Sequence, residues 1–205
     1  MLPPRGLYAI TDGPRADLIE VCAAAIAGGA AMLQYRDKTR DDVRRREEAG
    51  ALATLSARNG IPLIINDDVE LAAEVGAAGV HLGEDDVDIA SARSRLGPRA
   101  ILGVSCYDSI ERARELAAAG ADYLAFGAFF ASPTKPGARI ATPQLLRDAK
   151  ALHRPLVAIG GVTAANGAEL IDAGADFLAV ISGIFGEADV RAAARRIAAL
   201  FEAVG

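Results

Sequence analysis

The residues best suited to chemistry follow short apolar runs. Gln34, Arg36 and Lys38 are spaced by two, so in an extended chain their side chains leave on one side. Two cations and an amide aimed at one spot suit a phosphate or diphosphate. Arginine brings a planar fork for phosphate oxygens, and lysine a mobile point charge. A solvated strand end is the plain alternative for this triplet. Asp67 and Asp86 each follow a further apolar run. Mg²⁺ takes one or two protein carboxylates and keeps its other positions for water and substrate phosphate. Two aspartates near Arg36 and Lys38 therefore point to a metal and an anion held together, although either aspartate alone could cap a helix. Gly160-Gly161 and Ser182-Gly183 make a second, uncharged group. Glycine lets backbone N–H groups approach an anion closely.

The elements that must position these groups repeat along the chain. Apolar runs over 6–10, 31–35, 62–65, 79–82, 100–104, 122–126, 155–159 and 177–181 read as strands. They are nearly continuous in hydrophobicity, as expected of parallel strands covered on both faces. Helical patterns lie between them. Leu18, Cys22, Ala25 and Ile26 share a face of the first helix; Val190, Ala194, Ile197 and Phe201 share one in the last. Thr142-Pro143 marks a helix start, and Asp108 with Glu111 has the spacing of a capping box. The segments beginning at Glu74, Ala119 and Ala173 echo one another, each turning at glycine before the next run. Alternating β and α units imply a parallel sheet. Eight such units predict a single (β/α)8 TIM barrel over residues 1–205, with an open doubly wound sheet as the alternative. The active site then lies at the C-terminal strand ends, where the groups above fall, and the turns after the seventh and eighth runs occupy that fold's usual phosphate position.

The two groups suggest two phosphorylated substrates, or one with a phosphate at each end. His81 is expected to face the barrel interior or a helix, and His153 the far end of the barrel. Segment 131–141 carries Ser132, Thr134, Lys135 and Gly137. It is long for a connection and is expected to close over the site. The chain has 205 residues, 52% of them hydrophobic, with few aromatics and no Trp. That composition predicts a core of Ala, Val, Ile and Leu. A net charge of −5 argues against nucleic acid. No stretch approaches the roughly 18 unbroken apolar residues of a membrane span, and the opening MLPPRGLYAIT does not read as a signal peptide. Cys22 and Cys106 make no disulfide framework. The expectation is a cytoplasmic enzyme with free thiols, no membrane partner and an oligomeric state left open, a homo-oligomer included.

The series Tyr8-Ala-Ile-Thr-Asp12, Gln34-x-Arg36-x-Lys38, Asn66-Asp67, Gly79-Val-His-Leu-Gly83 with Asp86, Gly103-Val-Ser105, Ser132-Pro-Thr-Lys135, Ala158-Ile-Gly-Gly161 and Val180-Ile-Ser182 resembles the thiamine phosphate synthase family. The match runs in order along nearly the whole chain. The resemblance implies a Mg²⁺-dependent transferase of thiamine biosynthesis that joins a hydroxymethylpyrimidine diphosphate to a (carboxy)thiazole phosphate and releases diphosphate. It implies that Gln34, Arg36, Lys38, Asn66, Ser105 and Lys135 hold the pyrimidine diphosphate, and that Asp67 and Asp86 bind Mg²⁺. Ser132, Pro133, Thr134, Gly161, Ile181 and Ser182 would hold the thiazole phosphate. Arg36, Lys38 and Lys135 would answer the leaving-group charge. Glu84, Ser132, Cys106-Tyr107, Ala128 and Ala131 depart from the family's usual residues. Three alternatives stand: a thiazole tautomerase of the same fold, a Schiff-base aldolase using Lys38 or Lys135, and a non-catalytic phosphate-binding barrel.

Overall fold

The computed structural model describes residues 1–130 and 140–202. Its strands are β1 (Gly6–Ile10), β2 (Ala30–Tyr35), β3 (Leu63–Asn66), β4 (Gly79–Leu82), β5 (Ile101–Tyr107), β6 (Tyr123–Phe126), β7 (Leu156–Ile159) and β8 (Phe177–Val180). All pair in parallel with their sequence neighbours, and β8 returns to β1, closing the expected barrel. Helices α1 (Leu18–Ala27), α2 (Asp42–Asn59), α3 (Val69–Val75), α4 (Ile89–Leu96), α5 (Ile110–Ala118), α6 (Pro143–Ala149), α7 (Gly167–Ala173), the short α8 (Ser182–Phe185) and α9 (Val190–Ala198) complete the repeat. Among the described residues no helix is long and apolar enough to cross a membrane.

Alternation along the strands divides the core in two. Leu33, Ile65, Val80, Leu102 and Leu178 point outward and pack beneath the helices. Tyr8, Met32, Ile64, Ile101, Tyr123, Val157 and Phe177 point inward and fill the barrel. The outer layer is built largely of small aliphatic residues, as composition predicts. The inner layer departs from that expectation, because three of its fully buried side chains are the aromatics Tyr8, Tyr123 and Phe177. Gly103 makes room for one of them: a Cβ there would fall 1.8 Å from the Tyr123 ring.

The internal echo has a physical basis. The Asp122 backbone N–H donates to the Leu102 carbonyl at 2.7 Å, and its carboxylate accepts from Leu102 N at 2.8 Å. Asp176 repeats this with Leu156, at 2.8 Å in both bonds. Each aspartate ties the start of its strand to the start of the preceding strand. Gly76, Gly120 and Gly174, at φ of 65°, 100° and 115°, turn the chain just before. One expected cap is corrected. α5 is capped by Ser109, whose hydroxyl accepts from Arg112 N at 3.1 Å and donates to Glu111; Asp108 precedes the cap, because the helix begins one residue later than a box at Asp108 requires. Thr142-Pro143 does begin α6.

Candidate active site

The polar groups meet at the C-terminal mouth. β2 stops at Tyr35, but alternation continues past it. Tyr35 and Asp37 turn toward α2, where Tyr35 Oη donates to Glu48 at 2.7 Å and Arg44 pairs with Asp37 at 2.7 Å. The Asp37 side chain is wholly buried, and its Oδ1 accepts from Thr39 N at 2.7 Å. Burial by itself would raise that carboxyl. The Thr39 hydrogen bonds and the charges of Arg44 and Arg45 outweigh it and hold the group below its ordinary range. Asp37 thus pins the segment carrying Arg36 and Lys38, a task that nothing in its own residue type announces. Arg36 is held through its backbone, exchanging two hydrogen bonds with the Thr11 hydroxyl at 2.8 and 3.1 Å. Its guanidinium makes no hydrogen bond or ion pair with any described residue. Lys38 Nζ pairs with Asp67.

Two of four neighbouring acids are taken by helix caps. Asp68 accepts from Leu71 N, and Asp88 from Ser91 N, both at 2.9 Å. Asp67 and Asp86 are left for other work. Asp67 stands at φ 63°, a conformation uncommon outside glycine and found at functional sites. Its N–H donates to the His81 carbonyl at 2.8 Å. Asp86 reaches back from the β4–α4 loop and accepts from Gly83 N at 2.5 Å. Burial raises the Asp86 carboxyl, and the neighbouring Asp67 carboxyl raises it further, with the Gly83 N–H and Lys38 opposing. The two acids therefore share one small space, as expected from their adjacent strands. Among the described residues no cluster of three or more acid, His or Cys ligands occurs.

Gln34 is buried at the end of β2, Asn66 is the half-buried last residue of β3, and Ser105 is half-buried in β5. His81 faces the interior, stacked on Tyr123 with 18° between ring planes. Burial pushes its imidazole down to about 4, against an opposing pull from Asp67. β5 runs past the expected end at 104 to Tyr107, so Cys106 lies inside the strand and points toward the helices without exposure. Burial pushes its thiol, and that of Cys22, up to about 12, so neither serves as a nucleophile at neutral pH. Both are free.

On the opposite rim, Gly160 and Gly161 follow β7 at φ of 101° and 64°. Asn166 braces that turn, donating to the Gly161 carbonyl at 3.0 Å and accepting from Thr163 N at 2.7 Å. Ile181 precedes α8, and the exposed Ser182 is its first residue. The uncharged group therefore gathers where the fold places it. Ser132, Pro133, Thr134 and Lys135, with the loop closure expected of 131–141, fall on 131–139 and lie outside the described residues.

Comparison with known proteins gives the family. The family profile described as thiamine monophosphate synthase matches residues 7–184. A thiamine-phosphate synthase of Chromobacterium violaceum is 54% identical over 98% of this chain and all of its own length. One of Halorhodospira halophila is 52% identical over 96% of this chain and 94% of its own. The solved thiamine phosphate pyrophosphorylase from Pyrococcus furiosus superposes with a TM-score of 0.89 at 34% identity, covering 98% of this chain and 97% of that one. A 3-hexulose-6-phosphate synthase, at 19% identity and a TM-score of 0.71, shares the barrel alone. The chain therefore belongs to the thiamine monophosphate synthase family, transferases of thiamine biosynthesis.

Proposed function

We propose that this chain makes thiamine phosphate by joining 4-amino-2-methyl-5-hydroxymethylpyrimidine diphosphate to a (carboxy)thiazole phosphate, releasing diphosphate and, from the carboxylated thiazole, carbon dioxide. The observation that carries this reading is the juxtaposition of Lys38, Asp67 and Asp86 at the mouth. Two carboxylates crowded together, one of them paired with a lysine, suit a divalent cation held beside a diphosphate. Asp67 and Asp86 would hold Mg²⁺, which when bound stabilises negative charge on the diphosphate. The acid pair leaves the tautomerase alternative without an observation in its favour.

Gln34, Asn66 and Ser105 line the interior side of this mouth and hold the pyrimidine. Arg36 and Lys38 bind the diphosphate, and Lys135 joins them by its place in the sequence motif. As the methylene C–O bond breaks, its electron pair leaves with the diphosphate, and these cations answer the growing charge. The aminopyrimidine ring shares the positive charge left on the methylene, and the thiazole nitrogen then forms the new C–N bond. Gly161, Ile181 and Ser182, with Ser132, Pro133 and Thr134, hold the thiazole phosphate so that this nitrogen faces the methylene. The protein's work is positioning and electrostatics, and no covalent enzyme intermediate is required. The test is direct: purified protein with both substrates and Mg²⁺ yields thiamine phosphate and diphosphate in equal amounts. Absence of product under those conditions overturns the reading.

A further inference from the structure

Five side chains join across the barrel interior in one unbroken chain of hydrogen bonds. Gln34 Nε2 donates to Tyr8 Oη at 2.6 Å. The Tyr8 and Tyr123 hydroxyls lie 2.9 Å apart. Tyr123 Oη is 3.0 Å from His81 Nδ1, and His81 Nε2 is 2.9 Å from Ser105 Oγ. The chain crosses from β2 through β1, β6 and β4 to β5. Its two ends belong to the pyrimidine site proposed above. Its three central members have no part in that proposal.

Proton counting gives the chain a direction. A hydroxyl has one proton to donate. Tyr8 accepts from Gln34, so its proton goes to Tyr123. Tyr123 accepts that bond and points its own proton at His81 Nδ1. A neutral imidazole that accepts at Nδ1 carries its proton on Nε2, and Nε2–H then donates to Ser105 Oγ. Three groups are left over for a ligand: the Gln34 amide oxygen, which accepts, and the second Gln34 Nε2–H and the Ser105 hydroxyl proton, which donate.

We propose that this chain is a polarity relay, in which Tyr8, Tyr123 and His81 are positioning residues that oblige Gln34 to present an acceptor and Ser105 a donor to the substrate. The ends are coupled, because reversing one requires reversing every bond between them. The protein has also spent space on the relay. Tyr8 and Tyr123 are 1% and 0% exposed, their rings meet edge to face at 89° with hydroxyls converging, and the Tyr123 ring occupies the place a side chain on Gly103 would need. Packing alone is served by phenylalanine, which leaves no buried hydroxyl to satisfy. A ligand offering amino hydrogens to Gln34 fits the relay. An analogue with an oxo group in place of the amine meets Gln34 oxygen to oxygen, and must reverse the chain or leave a buried group unpaired, at a cost in affinity of roughly tenfold or more.

The assignment of ligand contacts rests on the proposed function, but the relay has a readout independent of turnover. The chain has two histidines, so ¹⁵N-histidine NMR with a His153→Gln variant assigns the His81 ring. At neutral pH the expected signal is a neutral ring protonated on Nε2. Tyr123→Phe keeps the ring and cuts the relay. It should shift His81 toward mixed tautomers and raise KM for the aminopyrimidine diphosphate about tenfold, with KM for the thiazole phosphate unchanged. It should also narrow discrimination against the 4-oxo analogue. A wild-type ring protonated on Nδ1 overturns the direction. A folded Tyr123→Phe protein with unchanged tautomer and unchanged KM overturns the relay. Should that variant fail to fold, the wild-type tautomer still decides. If no thiamine phosphate is formed while His81 is Nε2-protonated, the function falls and the relay stands.

Discussion

At the scale of single residues, a side chain's type and its task diverge where burial intervenes. Asp67, Asp68, Asp86 and Asp88 are chemically identical, yet two cap helices and two face the mouth. The first prediction follows. Asp67→Ala and Asp86→Ala should each lower Mg²⁺-dependent turnover on the order of a hundredfold while the circular dichroism spectrum is kept. Full activity of either variant at limiting Mg²⁺ ends the metal assignment. Asp37 is the reverse case, an acid beside the two cations proposed to bind diphosphate that is itself engaged by Arg44 and Thr39. Asp37→Asn removes a charge-assisted anchor to Arg44 and should cost about 1.5–3 kcal/mol in chemical denaturation. It should also raise KM for the pyrimidine diphosphate, because Arg36 and Lys38 lose their fixed base. Equal stability and unchanged KM contradict the anchoring role.

At the scale of elements, turns and strand starts carry the specification. The Ala-Gly-Ala-Asp echo is legible as a repeat, but the carboxylate-to-backbone bond that explains it joins residues twenty apart and is visible only once strands pair. Asp176→Ala should destabilise the barrel by about 1–3 kcal/mol by leaving Leu156 N without its acceptor. Urea titration measures this, and a loss under about 0.5 kcal/mol, the size of an ordinary surface change, speaks against the tie. The β7–α7 turn gives a functional counterpart. Gly161 stands at φ 64°, where a β-branched residue is strained. Gly161→Val should weaken thiazole phosphate binding at least tenfold and leave pyrimidine diphosphate binding within twofold. Calorimetric titrations that weaken both ligands alike contradict two separate anion sites.

At the scale of the whole molecule, the barrel holds a half-buried titratable ring on its interior face near the mouth. The unfolded chain binds a proton at His81 near pH 6.5, while in the folded protein burial holds that imidazole at about 4. Between these values the unfolded state carries the extra proton. Stability contributed by His81 is therefore complete above about pH 6.5, declines as pH falls, and is lost below about pH 4, amounting to as much as about 3 kcal/mol. Denaturant midpoints at pH 7.5 and 4.5 should diverge more in the wild type than in His81→Gln. Parallel pH dependence in the two proteins rules this out.

The strands and the barrel are written in local pattern, since each βα unit is a short apolar run, a helical period and a glycine turn. The placement of the candidate residues is legible in the same way, because parallel topology sends every strand end to one mouth. Gln34, Lys38, Asp67 and Asp86 follow from that rule without coordinates. What only the tertiary structure decides is how interior side chains share protons and space. Gln34 joining Ser105 through two tyrosines and a histidine, Gly103 yielding to the Tyr123 ring, and Cys106 facing the helices all arise between strands far apart in sequence. Hydrogen-bond partners and burial are set by the closure of the sheet, and a linear pattern holds no record of which side chains meet across its axis.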